Sequence, residues 1–196
     1  TTVGGVISLG GSGNSHSDSR LYTLNADEAN LPLMGSVSGL GKGEKIYAVR
    51  FLGPRAFVVT FKKVDPLYIV DLSDPQEPSI RGELKIPGFS TYLHILDENH
   101  LIGIGHAADD RGSFAWFQGV QLSLFDVSDS SQPKAIQQIT IGGRGTSSDA
   151  IFNHHAVTFD RKSNLLVLPM DYYEGDGLGS DVGNFQYSGF HLYDVD

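Results

Sequence analysis

Short runs of apolar residues follow one another along almost the whole chain, each closed by Gly, Pro, Asn or Asp. Outside one recurring phrase they fall at residues 3–9, 33–37, 45–51, 55–61, 80–86, 91–96, 100–105, 135–141, 155–159 and 164–170. They are rich in Val, Ile, Tyr and Phe, the residues that suit a pleated surface. Several alternate, so that Tyr47, Val49 and Phe51 share one face of an extended strand. No stretch of helix length carries apolar positions at helical spacing. The pattern predicts an all-β chain.

The recurring phrase organises the rest. LYIVDLSD at 67–74 returns as LSLFDVSD at 122–129, and Pro78 returns as Pro133 at the same offset. Weaker copies are LYTLN at 21–25, followed by Pro32, and FHLYDVD at 190–196. With the runs between copies, the phrase becomes the third strand of a four-strand unit, the arithmetic of a β-propeller blade. The expected fold is an all-β β-propeller of four-stranded antiparallel blades, with this chain supplying about three to four blades of a larger ring. The units run approximately over 1–40 (partial), 45–87, 91–142 and 154–196 (partial). An unusually small closed ring is the alternative. A β-sandwich would also give evenly spaced strands, but it would not explain one phrase at one place in each unit.

The stretch from Tyr47 to Gly105 carries a family likeness. The segments YAVRFLG (47–53), VVTF (58–61), VDPL (64–67), DLSDP (71–75), GELKIPGFS (82–90), YLH (92–94) and LIGIG (101–105) resemble the prokaryotic secreted β-propeller family distantly related to WD-40 repeats. SLFDVSD (123–129) and His155-Ala156 continue it, so the likeness covers about residues 20–170. It implies a parent of several hundred residues, exported to the extracellular space or cell surface and often membrane-tethered. The opening Thr1-Thr2 matches a mid-domain position in that family. No biochemical activity comes with the resemblance.

A formal net charge of −9 argues against a nucleic-acid partner or an anionic lipid surface and favours cations as small ligands. The absence of cysteine removes thiol chemistry, thiolate metal sites and disulfides, and leaves the redox compartment open. No apolar run reaches the length of a membrane-spanning helix, and the first residues show no basic flank followed by an apolar segment.

Among candidate sites, the strongest is the loop around Asp171, Glu174, Asp176 and Asp181, whose carboxylates among glycines suit Ca²⁺. The spacing departs from the EF-hand loop, and a solvated acidic insertion is the competing reading. Asp71 with Asp74 and Asp126 with Asp129 repeat once per blade, as turn-fixing residues do. Read as strand neighbours, His154 and His155 point to opposite faces and do not share an ion, whereas His94 and His155 are candidates for a metal site at the ring axis. Arg50 and Asp65 are expected to pair between strands and hold blade register. Residues 142–148 superficially resemble a phosphate loop without its Gly-Lys-Ser/Thr ending. No catalytic motif is present, so no catalytic residue is assigned. The expectation is an extracellular scaffold or binding module for a protein, a glycan or subunit assembly. A calcium-dependent propeller hydrolase or lyase is the alternative.

Overall fold

The computed structural model of the chain describes residues 3–8, 18–61, 65–110, 115–175 and 182–195. Among these, fourteen strands form four antiparallel sheets, each with its strands in chain order. The first sheet holds β1 (Val3–Ser8), β2 (Ser19–Asn25) and β3 (Leu33–Leu40). The second holds β4 (Lys45–Leu52), β5 (Arg55–Phe61), β6 (Asp65–Asp71) and β7 (Ser79–Ile86). β8 (Phe89–Ile95), β9 (His100–Asp110), β10 (Ala115–Asp126) and β11 (Lys134–Ile141) make the third, and β12 (Thr158–Asp160), β13 (Leu165–Glu174) and β14 (Asn184–Asp194) the fourth. These are the blades of a partial β-propeller. The repeated phrase lies on β2, β6, β10 and β14, the third strand in both four-stranded blades.

One expected strand is shorter than expected and begins later. Residues 155–159 divide into a 3-10 turn over His154–Ala156 and the short β12. The Asn153 side chain accepts the His155 amide at 3.1 Å and caps this turn, as Ser148 caps a similar turn over Asp149–Ile151. Short polar side chains that take up backbone donors compete with a strand ladder, and here they win.

The acidic residues of the phrase fix turns. Asp71 Oδ1 accepts the Ser73 amide and Asp74 Oδ1 the Gln76 amide, each at 2.9 Å. Asp126 and Asp129 do the same for Ser128 and Ser131, also at 2.9 Å. Asp71 also takes the Arg81 guanidinium at 2.7 Å. The Ser73 hydroxyl and amide, with Arg81, hold the Asp71 carboxyl down at about 2.

The core lies between the blades. Leu21 and Leu40 of the first blade pack with Ala56, Val58, Tyr68 and Val70 of the second. The other face of the second blade, with Phe57, Leu67 and Ile69, meets Leu93, Leu101 and Phe125 of the third. Ile102, Ile104 and Leu122 then meet Leu166, Leu168 and Met170 of the fourth. Strand alternation thus gives each blade two apolar faces, one for each neighbour.

Two glycines let the blades close. A Cβ on Gly35 of β3 would sit 2.5 Å from the carbonyl oxygen of Gln76, in the turn after β6. A Cβ on Gly82 of β7 would collide with the Ser130 carbonyl oxygen and lie 2.9 Å from Pro133 Cδ, in the turn after β10. Both glycines face the middle residue of the phrase, Gly35 opposite Thr23 and Gly82 opposite Ile69. In the third blade the residue opposite Leu124 is Gln137.

Candidate functional site

β4 and β8 are the innermost strands of adjacent blades, packed closely side by side, while the outermost strands β7 and β11 barely meet. Blades converge toward a propeller's axis, so this is the axial side. Here the first strand of each blade has an unpaired inner edge, and side chains have to satisfy its carbonyls.

Arg50 does this across the blade boundary. Its Nε donates to the Leu93 carbonyl at 2.6 Å, and its guanidinium carbon lies 4.6 Å from the centre of the Tyr92 ring. The expected Arg50–Asp65 register pair is therefore corrected. Arg50 is paired opposite Phe57 and thence Ile69, four residues along β6 from Asp65. What Arg50 joins is one blade to the next.

Two further arginines, not singled out from the sequence, grip the third blade. Arg55 donates to the carbonyls of Val127 and Glu98, and Arg161 to those of Leu96 at 3.0 Å and Ile95 at 3.2 Å. The β8–β9 hairpin is thus held from both neighbouring blades. Each arginine lies in or next to the turn between the first two strands of its blade, a positional signal visible once the blades are aligned.

Rings and histidines extend along the same inner strands. Tyr47 packs against Phe89 with centroids 4.8 Å apart, and Phe89 stacks on Phe61 at 4.5 Å. Tyr92 Oη and His94 Nδ1 are 3.2 Å apart, and the His94 ring lies 5.0 Å from that of Phe159. Burial, then the charges of Arg161 and Arg50, lower the His94 pKa, and burial lowers that of His106. The expected strand geometry at His154 and His155 is corrected. On their 3-10 turn both are exposed and their rings lie 4.2 Å apart. The ring neighbours of His94 are Tyr92 and Phe159 rather than His155.

Over these strands lies a concavity of about 200 Å³, lined by Tyr47, Arg50, Thr91, Tyr92, Phe152 and His154 among others. No carboxylate lines it among the described residues. A second concavity, of about 280 Å³, lies between the outer parts of the third and fourth blades and includes Leu122, Gln137, Ile139, Leu192 and Tyr193.

The acidic loop is only partly described. Asp171 is exposed and accepts the Ser188 hydroxyl at 2.5 Å, and Glu174 is exposed at the end of β13. An odd separation on an extended strand points these two to opposite faces. Asp176 and Asp181 lie outside the described residues. Among the described residues, no three His, Asp or Glu side chains gather to hold an ion.

Three backbone donors of residues 142–148 are taken by carbonyls of the protein. The Gly143 amide bonds to the Tyr173 carbonyl at 2.7 Å, Ser147 to Asp171 at 3.0 Å and Thr146 to Gly143 at 3.1 Å. That segment pins the fourth blade to the end of the third. On the fourth blade itself, Tyr187 Oη meets His191 Nε2 at 2.8 Å, and His191 Nδ1 meets Tyr193 Oη at 2.9 Å. Burial, then Tyr187, pushes the Tyr193 hydroxyl up to about 12.

Sheets of this topology, converging on an arginine-bridged inner edge, define a propeller-class protein. The Beta propeller domain family matches residues 2–196, and the chain belongs to it. An uncharacterized protein of Methanocaldococcus jannaschii is 42% identical over 149 residues, which make up 76% of this chain and 22% of that relative. An uncharacterized protein of Archaeoglobus fulgidus shows the same identity and coverage. The chain therefore spans about a fifth of the length of these relatives. Among the described residues, no helix is long and apolar enough to cross a membrane.

Proposed function

We propose that this domain is a non-catalytic propeller scaffold, working outside the cell, whose assembly proceeds through the open face of its fourth blade. One observation carries this reading. The first residue of the phrase is buried by the following blade three times, with Leu21 at 0%, Leu67 at 1% and Leu122 at 7% exposure. In the fourth blade Phe190 holds that position and is 72% exposed, with Leu192 two residues on at 61%. The partner that fits is a further blade. It would bring apolar residues from its second strand, as Leu166, Leu168 and Met170 of β13 do for the third blade. The relatives, of which the matched segment is 22%, have polypeptide to supply it. The extracellular address rests on the likeness to the secreted propeller family.

The test is the solution behaviour of the chain. Sedimentation at high concentration, with binding of a hydrophobic dye, is expected to show association or dye uptake that Phe190→Asp with Leu192→Asp abolishes. A dye-silent monomer would overturn the assembly reading. Turnover of a polysaccharide or phosphate ester, lost on chelation of Ca²⁺, would overturn the non-catalytic one.

A further inference from the structure

We infer that the axial concavity over β4 and β8 is a binding site for a small carboxylate, a monoanion carried on a ring such as a hexuronate. This is independent of what covers the fourth blade.

The chain carries a formal charge of −9, yet the charged residue lining this concavity is Arg50. The guanidinium is preorganised. Its Nε is held at 2.6 Å by the Leu93 carbonyl and its plane sits over Tyr92 at 4.6 Å. Nη1 makes only a long contact of 3.5 Å with the Val49 carbonyl, and Nη2 has no acceptor among the described residues. A fixed arginine with its outer nitrogens free matches a planar oxyanion, and little side-chain entropy remains to be lost on binding.

One guanidinium balances one negative charge. A carboxylate is matched, whereas a phosphate dianion would carry a second charge with no counterpart in the lining. The rest of the lining selects the body of the ligand. The Phe152 ring is 81% exposed and Tyr47 39%. Flat aromatic surfaces with a hydroxyl and an imidazole, from Tyr47 and His154, suit a ring that has both apolar faces and hydroxyl edges. The volume of about 200 Å³ is below the ~300 Å³ at which drug-sized pockets begin, so a single ring is the size that fits.

Titration calorimetry on the intact chain, with glucuronate, glucose and inorganic phosphate as probes, tests this. Saturable binding of glucuronate is expected at millimolar concentration, with glucose and phosphate each weaker by about tenfold or more, the worth of one charge-assisted contact. Arg50→Gln is expected to abolish glucuronate binding. Because Arg50 also joins two blades, Phe152→Asp is the second arm. It places a like charge on an exposed ring position, and is expected to abolish binding with the melting temperature unchanged. Absence of glucuronate binding, equal binding of glucose or phosphate, or binding that survives in either variant would overturn the proposal.

Discussion

Leu67 and Phe190 occupy the same place in the repeated phrase, yet one is sealed in the core and the other stands 72% exposed. Both lie on strands ended by an Asp, and both strands pair antiparallel with the strand before them. The difference lies in the neighbouring blade. The third blade covers Leu67 with Leu93, Leu101 and Phe125, while no described residue covers Phe190. A strand's pattern therefore fixes which side chains share a face, and the next blade decides whether that face is a core or a docking surface.

Breaking the closed interface is expected to have the largest effect. Leu67→Ala should cost about 2–5 kcal/mol in urea unfolding, because it leaves a cavity between two blades. Phe190→Ala should change the stability of this chain by no more than about 0.5 kcal/mol. If the two substitutions cost the same, the contrast between the faces is wrong.

Next comes the close approach at the blade edges. Gly82→Ala is expected to cost about 1–3 kcal/mol, because the new methyl meets the Ser130 backbone, which cannot yield without moving a whole turn. The change Gln137→Gly, at the matching place in the third blade, should stay within the ~0.5–1 kcal/mol that glycine costs a strand. Thermal melts of the two variants sharpen the comparison between a filled and an open junction.

Acid should loosen the closed interfaces. His94 and His106 have folded-state pKa values below the ordinary 6.5, so the fold favours their neutral forms. Their contribution is complete above about 6.5 and is lost as pH falls below that toward the folded values. Urea midpoints measured from neutral pH down to about pH 5 should fall, and His94→Gln should flatten that fall. A slope unchanged in His94→Gln would remove His94 as a cause.

The smallest contrast lies in the turns. Asp71→Ala should cost about 1 kcal/mol through the lost Ser73 bond, with the exposed Arg81 pair adding little. Asp74→Ala should cost a similar amount through the lost Gln76 bond. The Asp71 contribution is present above the ordinary 3.8 and is lost as pH falls through about 2.

Much of the fold was legible because period-two alternation and Asp/Pro turns are local. The phrase could be placed on the third strand of a blade by its spacing alone. The inner edge was less legible. The face expected to be shared by Tyr47, Val49 and Phe51 breaks at a β-bulge between Ile46 and Ala48, so that Tyr47 turns to Phe89 of the third blade while Val49 packs toward the first. Arg50 read as the partner of an acid on its own sheet, because sequence spacing shows candidate pairs but not an unpaired carbonyl on the next blade. The turn at His154 and His155 was hidden for a related reason. A capping Asn is a weak local signal beside an apolar run, and here it took the amide first.

By itself, the sequence determined the strands, their turns and the repeat that groups them, because each depends on residues a few positions apart. Only the tertiary structure decided which apolar face is buried, which arginine bridges which blade and where a concavity opens. Those outcomes depend on groups far apart in the chain, such as Arg50 and Leu93, that meet only when the blades converge on the axis.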